Sequence, residues 1–338
     1  MKKYNKILVT GGAGYVGAVL VPKLLDAGYE VKVLDLYIYG EDVLQSCKDN
    51  PRFEEIKGDI RDTDLVRSSL DDCDAVIHLA CISNDPSAEL NPELTKSINQ
   101  DAFIPLLDIC KSSGVKRFIF ASSSSVYGIS EDPNVSEDHP RIPVSDYNKT
   151  KAYCEDQLVD YYSDDFSIVT IRPATVCGYS PRLRLDLTVN ILTNHAFHKG
   201  EISVFGGDQY RPNLHIDDMT DLYLQLLNEP DSKVSGQIFN AGYQNQKVMD
   251  IATIVKETYE SLYPNKKPIN IKRTSTDDIR SYQISTQKIK QVLNFEPKKN
   301  IQDAVIDLCK AFENVEFPDP LTSSSYYNVQ KMNEISLK

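Results

Sequence analysis

An α/β fold, with a doubly wound parallel sheet and a smaller C-terminal α/β lobe, is predicted by three observations. Short apolar runs alternate with segments of helical period in the first half of the chain, the first run ends in a glycine-rich turn, and after Gly178 the texture changes to proline- and arginine-bearing loops. Element by element, Lys6–Thr10 (KILVT) reads as a strand, residues 11–17 (GGAGYVG) as a turn, and residues 18–28 as a helix closed by Gly28. EVKVLDL (30–36) is the second strand. The alternation continues through DAVIHLA (74–80), a helix over about 93–113 closed by Gly114, KRFIFASS (116–123), a helix after Asp146, and SIVTIRP (167–173). Such alternation implies right-handed βαβ units. Further on, 189–200 reads as a helix, 202–206 as a strand, and 215–229 as a helix that returns to the first lobe. The expected organisation is therefore one domain over 1–178, completed by about 214–240, and a second over 179–338 interleaved with it. The last twenty or so residues carry little apolar periodicity and read as a tail packed on the surface.

The totals narrow the function classes. A 338-residue chain with 41% hydrophobic and 25% charged residues suits a soluble protein of two lobes. A net charge of −12 excludes a general nucleic-acid binder, which needs a basic excess to neutralise phosphates. No run of about 18 apolar residues predicts a membrane span, and MKKYNKILVTGG turns glycine-rich before a secretory apolar segment can form, so a cytoplasmic protein is expected. The seven cysteines are scattered without a CxxC pair, which fits reduced thiols. His195 and His198 share a helical face but lack partners with ligand spacing, so no metal is expected.

The turn after the first strand places Gly11, Gly14 and Gly17 in the spacing GxxGxxG, directly before a helix. Glycines there let the backbone approach a pyrophosphate, and the helix N-terminus offers free N–H groups to it. This is a Rossmann-type dinucleotide signature, with Tyr15 and Val16 inside the binding turn. Asp35 ends the second strand where an acidic residue accepts hydrogen bonds from ribose hydroxyls and repels a 2′-phosphate; LYIYG after it offers no cation, so NAD is favoured over NADP. Asp59 and Ile60, in KGDIRD, follow a third strand where they could reach the adenine. Tyr147 and Lys151 lie four apart in SDYNKTK, sharing a face if the segment is helical. An ammonium beside a phenol favours phenolate, and a phenolate can take the proton of an alcohol as hydride leaves the same carbon.

On TGGAGYVG, GDIRD, HLAC, FIFASSSSVYG, YNKTK, RPATVCGYSPR and RPNLHIDD, in that order, the chain resembles the extended short-chain dehydrogenase/reductases that modify nucleotide sugars, close to the nucleotide-sugar 4-epimerases. The resemblance covers nearly the whole chain. It implies Tyr147 as proton acceptor and donor, Lys151 on the nicotinamide ribose, and Ser123 hydrogen-bonded to the reacting sugar oxygen, with Ser124 the alternative within a run that also includes Ser122 and Ser125. It places Leu79, Ala80, Cys81 and Asn99 beside the centre of the cofactor, Pro173 and Ala174 beside the nicotinamide, and Asn190, Arg211 and Arg280 on the sugar nucleotide's diphosphate. Arg182 and Arg184 could touch diphosphate or solvate a loop. A homodimer built on helices near 94–113 and 147–162 is implied as well. The related dehydratases carry Asp-Glu after the catalytic Ser/Thr; Ser124 and Ser125 stand there instead, which disfavours elimination. Epimerisation at C4 and net C4 dehydrogenation use the same residues, and both remain open at this stage. A 4-keto reductase and a non-catalytic cofactor-binding protein are less favoured.

Overall fold

The computed structural model describes residues 3–276, 280–335 and 337. Among them the strands are β1 (Lys6–Thr10), β2 (Glu30–Asp35), β3 (Phe53–Lys57), β4 (Ala75–His78), β5 (Arg117–Ala121), β6 (Ser167–Pro173), β7 (Thr175–Cys177), β8 (Glu201–Phe205), β9 (Tyr210–His215), β10 (Gln237–Ala241), β11 (Gln244–Lys247) and β12 (Asn270–Thr274). Seven form a parallel sheet in the order β10-β6-β5-β4-β1-β2-β3. Its central strands are near-continuous apolar runs because helices cover both faces. On one face Leu20 and Leu24 of the helix Gly17–Asp26 pack with Leu222 and Leu226 of the helix Ile216–Asn228. On the other, Leu106 and Leu107 of the helix Phe103–Ser112 meet Phe118, Phe120 and Leu158.

Val9 pairs in register with Val33 on one side and Ile77 on the other, so β1 lies between β2 and β4. The direction of strand progression reverses between β1 and β4, which opens a crevice beyond their carboxyl ends. The helix Ile216–Asn228 and β10, whose Phe239 pairs with Ile171 of β6, complete this sheet assembly. A second assembly pairs β7, β9 and β11 in one small sheet and β8 with β12 in another. Its separate core joins Val189, Leu192, Val255 and Val305 from the helices Thr188–Lys199, Val248–Leu262 and Ile301–Glu313. Among the described residues no helix is long and apolar enough to cross a membrane.

Two elements differ from the sequence reading. The helix expected over 93–113 is interrupted: Pro92–Lys96 is followed by a π-helical stretch, Ser97–Asp101, and then by Phe103–Ser112. Asn99 sits in that wider turn, where its side chain accepts the Ile82 N–H at 2.8 Å and donates to the Ile82 carbonyl at 3.0 Å. The expected surface tail instead contains a helix, Asn328–Ile335, with Asn328 and Met332 buried against the body of the protein. Hydrogen bonds of Asn328 and the packing of Met332 into the core hold it, too few apolar positions to show as a period in the sequence.

Candidate active site

The turn after β1 is set by close packing. Gly11 has φ +74°, and a Cβ on it would lie 2.5 Å from the Ala80 nitrogen, in the loop after β4. A Cβ on Gly17 would lie 2.4 Å from the Gly12 carbonyl oxygen. The helix Gly17–Asp26 starts without a side-chain cap and without an acidic residue in its first turn, leaving its N–H groups available to an anion. At the end of β2, Asp35 accepts the N–H of Ala13 at 2.9 Å and of Tyr37 at 2.8 Å. Burial pushes its carboxyl above the ordinary aspartate value, against the pull of these donors. Asp59 follows β3 and is paired with Arg61 at 2.7 Å; burial works to raise its carboxyl, and the Arg61 bonds outweigh that and hold it low.

These residues line one end of a cleft of about 690 Å³, a size in the usual range of ligand sites. Gly14, Tyr15, Val16, Ile60, Leu79, Ala80 and Cys81 share that end; Ser123, Tyr147, Lys151, Pro173, Ala174, Arg211 and Arg280 lie further along. The glycine packing, the uncapped helix start and the buried carboxylate at β2 fit a dinucleotide. Gly11→Ala is therefore expected to force the turn off Ala80 and to add strain on the order of 1–3 kcal/mol. Nucleotide content and melting temperature of the purified variant check this, and both are expected to fall.

Ser145 caps the helix Asp146–Leu158, accepting the Asn148 N–H at 3.2 Å, and this places Tyr147 and Lys151 on the cleft side. Lys151 is 3% exposed; its Nζ donates to the Ala121 carbonyl at 2.6 Å and lies 5.9 Å from the centre of the Tyr147 ring. Ser123 is extended at the end of β5, within 2.7 Å of the Ser125 hydroxyl, and it hydrogen-bonds the Tyr147 phenol. Burial pushes that phenol well above its ordinary value, Cys81 and Asp85 push the same way, and Ser123 and the Arg184 charge work against them. The Lys151 charge expected to draw the phenol down is not among the leading influences on it, and burial dominates.

Residues 7–242 match the NAD-dependent epimerase/dehydratase family. The chain belongs to this family. It is 30% identical to UDP-glucuronic acid decarboxylase 4 of Arabidopsis thaliana over 342 residues, which span 96% of this chain and 72% of that protein. It is 28% identical to UDP-glucose 4-epimerase of Lactobacillus helveticus, over 89% of this chain and 94% of that one. Among solved structures, UDP-glucuronic acid 4-epimerase from Bacillus cereus, in complex with UDP-glucuronic acid and NAD, superposes with a TM-score of 0.80 at 27% identity, covering 92% of this chain and 99% of that one. NAD is the cofactor of the family, and its members act on nucleotide sugars as epimerases, dehydratases or decarboxylases.

Within this family member two expected contact residues do not line the cleft. Asn190 is fully buried behind the wall: it accepts the Gly178 N–H at 3.0 Å and donates to the Arg184 carbonyl at 2.9 Å and the Tyr15 hydroxyl at 3.1 Å. Its polar atoms are engaged in bracing the wall, so it is corrected from a ligand contact to a support. Asn99 likewise braces Ile82, which does line the cleft. Of the neighbouring serines, Ser122 donates to Glu155, Ser124 contacts the Tyr282 hydroxyl at 3.4 Å, and Ser125 donates to Asn148.

Sequence reasoning missed several cleft residues. Asp85 receives the Ser145 hydroxyl and pairs with Arg280, which itself accepts at its carbonyl from Arg211. Arg182 and Arg184, both named as candidates from the sequence, are buried in the wall rather than solvating a loop, and Arg184 pairs at 2.9 Å with Asp186, which the sequence did not single out. Outside the lining of the cleft, His215, Asp217 and Asp307 lie close enough to hold an ion. Lys299 already stands between the two carboxylates there, at 2.6 and 3.2 Å.

Proposed function

We propose that the protein is a nucleotide-sugar 4-epimerase. The observation that carries this reading is the chemistry around Tyr147. After Ser123, which is bonded to the phenol, come two hydroxyls tied to Tyr282 and Asn148, whereas 4,6-elimination requires an acid and a base at that place. The two nearby carboxylates, Asp85 and Asp186, are held by Arg280 and Arg184.

In this reading Tyr147 takes the proton of the sugar C4 hydroxyl and returns it after the ketone has turned over in the cleft. Ser123 orients the reacting oxygen, and Lys151 holds the nicotinamide ribose. Arg211 and Arg280 hold the sugar nucleotide's diphosphate, a task suited to paired guanidinium donors. NAD, bound along the glycine turn by Asp35 and the loop 79–81, supplies the hydride acceptor and donor at C4. A homodimer and a cytoplasmic location belong to the same reading.

The test is incubation of the purified protein with a panel of nucleotide sugars, followed by mass spectrometry, NMR and NADH absorbance. The proposal expects a product of unchanged mass, inverted at C4, with no net NADH. Loss of two hydrogens with NADH formed identifies a 4-dehydrogenase, loss of water a dehydratase, and loss of carbon dioxide a decarboxylase; each of these overturns it.

A further inference from the structure

Arg182 is a buried cation without an ionic partner at hydrogen-bonding distance. It is 3% exposed, it lines the same cleft as Gly11, Gly14 and Asp35, and its Nε and Nη1 have no hydrogen-bond partner among the described residues. Both oxygens of Asp35 already accept backbone N–H groups, and Asp186 is taken by Arg184. What holds Arg182 in place is neutral: its guanidinium carbon lies 3.6 Å from the centre of the Tyr39 ring, and its Nη2 donates to the Asn328 side chain at 2.5 Å. A guanidinium removed from water with donors unused is costly unless an anion meets it.

The position of those donors identifies the anion. Ser180 donates to the Tyr15 carbonyl at 2.7 Å and Tyr15 donates to the Gly178 carbonyl at 2.7 Å, so the segment bearing Arg182 is fastened to the phosphate turn itself. The Tyr39 ring against which it stacks follows Asp35 by four residues and lines the same cleft. The guanidinium thus lines the same cleft as the uncapped start of the helix Gly17–Asp26 and the Asp35 carboxylate, near enough to Asp35 for the two charges to act on each other. Asn328 is clamped in turn: its Nδ2 donates to the Ser83 hydroxyl at 3.1 Å, and the carbonyl of the nearby Tyr326 accepts the Leu185 N–H at 2.8 Å.

We infer that Arg182 is a diphosphate-binding residue of the cofactor site, facing the glycine turn from the opposite lobe, and that Asn328 of the C-terminal helix is the positioning residue that aims it. The C-terminal segment is on this account part of the dinucleotide site. The inference rests on the dinucleotide reading of the cleft and is independent of which reaction follows at C4.

The experiment is calorimetric titration of the full-length protein, freed of bound nucleotide, with ADP, adenosine and UDP. For wild type, ADP binds more tightly than adenosine, and the difference shrinks as salt is raised. Charge-assisted hydrogen bonds are worth about 1.5–3 kcal/mol, so Arg182→Met is expected to weaken ADP about 10- to 150-fold while leaving adenosine unchanged. Arg182→Lys is expected to fall between, and Asn328→Ala to reduce the ADP preference several-fold. Equal loss for ADP and adenosine would assign Arg182 a structural role only, and an unchanged ADP preference in the folded Asn328→Ala protein would overturn the positioning role. A loss confined to UDP would move the arginine to the substrate's diphosphate and overturn the assignment to the cofactor. Should Arg182→Met fail to fold, the lysine and Asn328 variants decide in the same way. Product analysis tests the epimerase reading separately, so the two can fail independently.

Discussion

Tyr147→Phe is expected to lower kcat by about 10²- to 10⁴-fold, the range over which a positioned proton-transfer group accelerates a reaction. The substitution removes one oxygen and leaves the ring over which Lys151 lies. Affinity for NAD and for the nucleotide sugar should therefore change little, and a large loss of affinity would show instead that the hydroxyl serves binding. The pH profile of wild type carries the same information. Burial, Cys81 and Asp85 hold the phenol protonated, and the reaction requires the phenolate, so kcat should climb as pH rises from neutral into the alkaline range. The positive charge of the oxidised nicotinamide shifts the midpoint of that rise downward without changing its sign. Tyr147→Phe should flatten the profile. Steady-state kinetics over pH, with direct binding measurements on the variant, check each part.

Glu155→Ala is expected to reduce unfolding free energy by about 3–5 kcal/mol, the cost of leaving a buried charge without its partner. Glu155 and Arg172 are each 3% exposed, joined by contacts of 2.7 and 3.0 Å, with Arg141 adding a third at 3.1 Å. Arg172 also donates to the Tyr127 hydroxyl at 2.7 Å, which in turn donates to Asn240 of β10 at 2.7 Å. The network therefore ties β6 and the helix carrying Tyr147 to the sheet's outermost strand. Ser122 donates into it as well, which fixes the backbone immediately before Ser123. Activity should fall together with stability. Denaturant unfolding measures the first effect; a loss below about 1 kcal/mol would show that the guanidinium finds other partners or water.

The sheet and one end of the cleft were legible in the sequence because their determinants are local. KILVT, GGAGYVG and KVLDL place a strand, a phosphate turn and an acidic residue within 35 residues. YNKTK puts Tyr147 and Lys151 on one face by helical spacing alone. The arginines of the opposite wall were named from the sequence, but the contacts that hold them were not legible, because they join distant segments. Arg182 meets Tyr39 from the other lobe, Arg280 meets Asp85 across 195 residues of chain, and Asn328 reaches Ser83 across 245. None of these pairs leaves a period or motif in the sequence. Asn190 and Asn99 illustrate the converse: resemblance placed them at the ligand, while their hydrogen bonds are used to hold the residues in front of them. The π-helical turn at Asn99 was hidden for a related reason, since the apolar spacing on either side of it is that of an ordinary helix.

The central claim is oxidation and re-reduction at C4 by the same cleft, with Tyr147 carrying the proton. The most direct measurement uses a nucleotide sugar turned over by the protein, carrying deuterium at C4, with the product analysed by NMR and mass spectrometry. The account predicts that the C4 epimer keeps the deuterium on C4 and gains no hydrogen from solvent at C5 or C6. A product that lost the label to solvent or to free NADH, or that took up solvent hydrogen at C5, would contradict it.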